Sequence, residues 1–195
     1  MSRGIIHIAI IISVTVLLFA ARQFLPSLYM YVLYALAGLL LLKLYPEYER
    51  DRMKLCKALP LGVLSGALSF VLGFGIIYVI TLFYPAGIPE TEPVTLSFSD
   101  IIMSGLLPAL SEELFFRSGL QGTLRRKLKP GYSLLIAAFV FSLFHAPLIK
   151  MPAMLLAGIV FGFVYLRTGR ISASVLAHII NNILSLLLSS NAFSS

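Results

Sequence analysis

The sequence predicts an all-α fold: a polytopic transmembrane helical bundle of about seven spans, N-terminus inside and C-terminus outside. Composition is the first of three observations behind this. Of 195 residues 59% are hydrophobic and only 12% charged, and the mean hydropathy of +0.96 lies far outside the soluble globular range. Second, apolar runs long enough to cross a hydrocarbon core of about 30 Å, which takes roughly 20 helical residues, recur along the whole chain. They are continuous, whereas the strands of a closed barrel alternate polar and apolar. Third, Lys and Arg concentrate in alternate loops.

In order, the spans run Gly4 to Ala21, Ser27 to Tyr45, Ala58 to Tyr84, Ser99 to Leu124, Tyr132 to Pro147, Lys150 to Leu166, and Ile171 to Ser190. The first follows Arg3 and ends in Ala20 and Ala21, as a signal peptide would. It is long for such a segment and a second span follows within a few residues, so it is expected to be a retained helix.

With the N-terminus inside, the inner basic residues are Arg3, Lys43, Arg50, Arg52, Lys54, Lys57, Arg125, Arg126, Lys127, Lys129, Arg167 and Arg170. The outer ones are Arg22 and Lys150. The long outer loop YPAGIPETEPVTLSFSD carries acids and prolines and no basic residue. This asymmetry sets the orientation by the positive-inside rule. It also gives the net charge of +7 a membrane reading in place of a nucleic-acid one.

That outer loop divides the chain into an N-terminal three-helix membrane region, 1–98, and a four-helix region, 99–195, which contains the unusual polar residues. Functional chemistry is expected after residue 100. Gly62 and Gly66, like Gly158 and Gly162, have the spacing that lets helices approach closely in lipid. Cys56, the one cysteine, is expected to be a small buried residue, and His7 an isolated interfacial one.

The fourth span holds SEELFFR. An ionisable side chain at mid-bilayer costs roughly 2.5–3.5 kcal/mol on insertion scales, so three together call for a site. Glu113 and Arg117 lie four residues apart, about 40° around the helix, and can pair on one face. Glu112 points about 100–140° away from them and is left without a local partner. Pro108, one turn earlier, cannot donate to the Ser104 carbonyl and is expected to kink the helix.

The last span, ISASVLAHIINNILSLLLSS, places Ser174, His178, Asn181, Asn182, Ser185 and Ser189 within an arc of about 100°. Such a stripe must face protein or a wet cavity. The serines can serve as helix glue, whereas a His and an Asn one turn apart suggest chemistry. A third constellation, FSLFHAP, ends the fifth span at His145.

A carboxylate and two imidazoles in a low-dielectric cavity suggest hydrolysis. The Glu can act as general base toward a water, a His can share the proton work, and His and Asn donors suit an oxyanion. Glu112, His145 and His178 can alternatively hold zinc with an open position for water. The motifs HExxH and GxGD do not occur, and Ser118 lacks the glycine context of a Ser–His dyad. This elimination favours a glutamate-centred site.

EELFFR, FSLFH and HIINN, in this order over roughly 100 to 190, resemble the EExxxR, FxxxH and HxxxN motifs of the CAAX prenyl protease and bacteriocin-processing family of intramembrane proteases. The resemblance implies that Glu112 and His145 activate the attacking water, that His178 and Asn182 form the oxyanion hole, and that Glu113 and Arg117 support the site. Phe141 would line the pocket. It implies no obligatory cofactor, with zinc as the alternative.

The expected protein is therefore a multi-pass endopeptidase of the cell membrane acting on a membrane-anchored polypeptide, with the lipid bilayer as its other partner and no nucleic acid. Two other readings stay open: a non-catalytic immunity or scaffold protein of the same fold, and a proton-coupled small transporter.

Overall fold

The structure, a computed structural model, describes residues 3–45, 52–84, 96–145 and 147–190, with side chains from Ala9 onward. The side chain of His7, Arg50 and most of the acidic outer loop fall outside the described residues. Within them the chain is helical and has no strand. It forms α1 (Arg3–Ala21), α2 (Ser27–Leu44), α3 (Leu55–Phe83), α4 (98–124), α5 (Pro130–Leu143), α6 (Met151–Thr168) and α7 (Ile171–Ser189). Each apolar run of the sequence becomes a helix with ends within a few residues of those expected.

Four helical stretches among the described residues are long and apolar enough to cross a membrane: Ser27–Leu44, Leu55–Phe83, Leu148–Thr168 and Ile171–Ser189. Shorter apolar helices occupy Ala9–Ala21 and Pro130–Leu143. The helix α4 is different in kind. Its N-terminus is closed by a capping box, Ser97 N donating to Asp100 Oδ2 at 2.9 Å and Asp100 N to Ser97 Oγ at 3.2 Å. From there it alternates between π and α geometry, with π segments at Ile101–Leu106 and Leu114–Gln121 on either side of an α segment at Leu107–Glu113.

The irregularity expected at Pro108 takes this form. Proline supplies no N–H, and the turn before it is wound with i to i−5 hydrogen bonds, Leu107 N donating to Ile102 O. The second π segment carries Arg117. Between the two, Glu112 and Glu113 end the seven-residue α segment.

Small residues let the helices close around α4. A Cβ on Gly38 of α2 would lie 2.7 Å from the Leu114 carbonyl carbon of α4. On α3, a Cβ at Gly62 would lie 2.6 Å from the Ala173 carbonyl oxygen of α7, and one at Gly66 would meet the Ala177 carbonyl and the Ile180 Cβ. The Gly62–Gly66 pair therefore packs α3 on α7, while Gly158 of α6 sits against Ala138 of α5.

An aromatic core fills the space between α2, α4, α5 and α6. Tyr34 stacks on Phe115 at 5.9 Å between centroids, and Phe116 meets Phe141 and Phe144 edge-on at 5.1 and 5.4 Å. At the opposite end of α6, Gly169 takes a left-handed conformation with φ 69° that ends the helix. There Met53 N donates to the Thr168 carbonyl at 2.9 Å, and Arg170 Nε donates to the Met53 carbonyl. Cys56 is exposed and not buried as expected, because the first turn of α3 buries Ala58 against the bundle and turns Cys56 outward.

Candidate active site

The buried charge on α4 is resolved in two ways. Glu113, fully buried, accepts from Arg117 Nε at 2.9 Å through Oε2. This is the i, i+4 pair expected from the wheel. It is not self-contained: Oε1 of the same carboxylate accepts from His178 Nδ1 at 3.0 Å, and Ser174 Oγ donates to Oε2. Glu113 thus joins α4 to α7. His178 shares the cavity wall with Glu112, but its carboxylate partner is Glu113.

Arg117 is likewise buried, with its guanidinium carbon 4.9 Å from the centre of the Phe141 ring and 5.9 Å from that of Phe161. Two aromatic faces therefore take up the charge that the single hydrogen bond to Glu113 leaves. The rings also pack the imidazoles. Phe141 lies 4.4 Å from His145 and 5.8 Å from His178, and Phe161 stacks on His178 at 4.7 Å.

Glu112 points elsewhere, as the wheel requires. It is only 8% exposed, and its buried Oε2 has no hydrogen-bond partner among the described residues. His145 Nε2 is 3.7 Å from that oxygen, beyond direct hydrogen-bond distance. The other imidazole nitrogen, Nδ1, lies 2.8 Å from the Phe141 carbonyl. A carbonyl only accepts, so Nδ1 carries the proton, and in the neutral ring Nε2 presents a lone pair toward Glu112.

These groups face one cavity of about 460 Å³. Its wall includes Glu112, Phe141, His145, His178, Asn181 and Asn182, together with Tyr31 and Tyr34 of α2 and the basic residues Arg22 and Lys150. Asn182 Nδ2 donates to the Gly105 carbonyl in the first π segment at 3.3 Å, which fixes its amide. Ser185 and Ser189 bond back to carbonyls of their own helix. Within the serine stripe, Ser174 is the one that ties helices together.

The cavity gathers Glu112, His145, His178, Asn182 and Phe141, while Glu113 and Arg117 lie buried behind it. It also draws on helices before residue 100, where no functional residue was expected. Tyr31 and Tyr34 sit in an apolar run with no polar periodicity, and only the packing of α2 on α4 brings them to the site. For zinc, the donor set is not assembled. Among the described residues no three His, Cys, Asp or Glu side chains converge as metal ligands.

Residues 94–184 match the family model described as type II CAAX prenyl endopeptidase Rce1-like. Over 82 residues, 42% of this chain, the sequence is 33% identical to "Putative membrane peptidase YdiL" of Bacillus subtilis (strain 168). That alignment covers 34% of the relative, so the chain spans about a third of its length. No solved structure matches the chain.

Proposed function

We propose that the chain, whose residues 94–184 match the type II CAAX prenyl endopeptidase Rce1-like family model, is an intramembrane endopeptidase cutting a membrane-anchored polypeptide with water activated at Glu112. The observation that carries this is the pair of facing acceptors, Glu112 Oε2 and His145 Nε2, 3.7 Å apart on the wall of the cavity. Two acceptors at this distance cannot bond each other, but a water beside the gap can donate one hydrogen to each. Its oxygen lone pair then faces the cavity, where a scissile carbonyl would lie.

On attack, Glu112 takes the proton of the water, and the developing oxyanion is held by donors on α7. His178 donates from Nδ1 to Glu113. It can give the oxyanion an N–H from Nε2 only as an imidazolium, and the carboxylate of Glu113 is placed to stabilise that form. Asn182 contributes an amide hydrogen, having spent the other on Gly105. Glu112 then returns that proton to the leaving nitrogen as the C–N bond breaks and the carbonyl re-forms. In this reading residues 99–195 carry the chemistry, residues 1–98 wall it, and no metal takes part.

The cavity is bordered by the end of α1, the start of α2, the end of α5 and the start of α6, through Arg22, Ser27, His145 and Lys150. In the orientation set by the basic loops, with seven spans, this end of the bundle is the outer one. The site would then receive its substrate from the outer face of the cell membrane.

The test is reconstitution in lipid with a panel of membrane-anchored peptides, comparing the wild type with Glu112→Gln and His145→Ala. Cleavage by the wild type and its loss by roughly 100-fold or more in both variants is expected. Undiminished cleavage in either variant overturns the role assigned to that residue.

A further inference from the structure

The cavity wall includes two basic side chains that the proposed chemistry does not use. Arg22 follows the last residue of α1, and Lys150 ends the short 3-10 turn before α6. Although distant in sequence, they border one cavity, the one that holds Glu112 and His145. Both are half-buried, and no carboxylate among the described residues forms an ion pair with either. They are also the two basic residues that the loop pattern separates from the rest. The inner cation, Arg117, is paired with Glu113 and covered by Phe141 and Phe161.

Partly desolvated cations with no ion-paired carboxylate among the described residues favour an anion that brings its own hydrogen-bond acceptors. Glu112, on the same wall, repels an anion from the reacting position. An anionic group is therefore favoured at the rim and disfavoured beside the water.

We propose that Arg22 and Lys150 form a carboxylate-binding rim that holds an anionic group of the substrate polypeptide, a free C-terminus or an acidic side chain, while a neighbouring peptide bond lies against Glu112. The inference rests on the endopeptidase reading for the identity of the occupant. A lipid phosphate is the less suitable occupant, because both side chains line the cavity that holds the catalytic groups and not a separate outer surface. An arginine and a lysine together suit a carboxylate, because the guanidinium can take it in two parallel hydrogen bonds and the ammonium can follow it on a flexible stem.

The test measures binding in a protein that does not cleave. The Glu112→Gln protein in phosphatidylcholine nanodiscs is titrated with three membrane-anchored peptides carrying a neutral fluorophore. One has a free C-terminal carboxylate and no acidic side chain, one an amidated C-terminus and a single Glu, and one is amidated with no acid. At least one of the first two is expected to bind about tenfold more tightly than the third, and whichever does so identifies the source of the carboxylate. Adding Arg22→Gln and Lys150→Gln abolishes the preference, and adding Arg22→Lys and Lys150→Arg retains it, which separates charge from folding.

Equal binding of the three peptides, no binding of any, or a preference that survives the double Gln change overturns the rim. So does a preference lost on adding phosphatidylglycerol, since a lipid phosphate then occupies the site. Wild-type cleavage of the same peptides separates the two readings: equal cleavage of all three keeps the peptidase and discards the rim. Carboxylate-dependent binding without any cleavage keeps the rim and discards the peptidase.

Discussion

Glu113 Oε1 lies 3.0 Å from His178 Nδ1, joining side chains 65 positions apart in the sequence. The same carboxylate holds Arg117 and Ser174. One buried anion thus fixes the register of α7 against α4 and orients the imidazole at the cavity wall. Glu112, the next residue back, has no such bonds on its buried oxygen. Adjacent glutamates serve the site differently because 100° of helix rotation sends one inward and the other to the cavity.

Removing Glu113 should therefore damage the fold, whereas neutralising Glu112 should damage only the chemistry. Glu113→Ala leaves the buried Arg117 without its anion and should cost about 3–5 kcal/mol. Glu112→Gln should stay within about 1 kcal/mol of the wild type, since Oε2 accepts no hydrogen bond that an amide would forfeit. Thermal unfolding of the two variants in detergent measures the difference. Equal melting temperatures would show that Glu113 does not organise the site.

Phe141 links the buried cation to both imidazoles, with its ring 4.9 Å from the Arg117 guanidinium carbon and 4.4 Å from the His145 ring. Phe141→Leu keeps an apolar side chain and removes the π face. It should destabilise by roughly 1–2 kcal/mol through the lost cation–π contact and altered packing. Turnover should fall by more than that stability change explains, because the imidazoles lose their aromatic support. A Leu variant with wild-type turnover would assign Phe141 to packing alone.

The contact of α3 with α7 sets where His178 stands. Gly66→Ala would drive a methyl into the Ala177 carbonyl and the Ile180 Cβ. Overpacking of this kind costs typically 1–3 kcal/mol, and here it pushes directly on the turn that carries His178. Activity should drop together with stability. Gly75→Ala, whose Cβ would meet nothing within 4 Å among the described residues, is the control and should leave activity unchanged and stability unchanged or slightly raised.

Orientation can be read with a thiol reagent that does not cross membranes. Cys56 is exposed near the start of α3, on the side that the basic loops assign to the interior. In intact cells it should stay unlabelled until the membrane is permeabilised. Ser27→Cys in a Cys56→Ala background, at the cavity end of the bundle, should label at once. The reverse pattern would turn the molecule over and place the cavity mouth inside.

Metal independence is testable on purified active enzyme. Cleavage should persist after chelation, with less than stoichiometric zinc by elemental analysis. Activity that is lost on chelation and restored by zinc would favour the metal alternative for Glu112, His145 and His178, with His178 ligating through Nε2 while Nδ1 keeps Glu113.

Hydropathy alone placed the seven helical stretches, because in lipid each segment must satisfy its own backbone and long apolar runs have no alternative to helix. Periodicity within a helix separated Glu112 from the Glu113–Arg117 pair for the same reason: positions on one wheel depend on local geometry alone. The partner of His178 was not legible. It depends on the rotation of α7 about α4, fixed by the close contacts of Gly62 and Gly66 and by Ser174 reaching Glu113. Nor was the part played by Arg22, Tyr31, Tyr34 and Lys150 in the cavity wall, since none carries a local signal. Which of several possible neighbours a helix face meets is settled by how small residues let the backbones approach, and only the tertiary structure decides that.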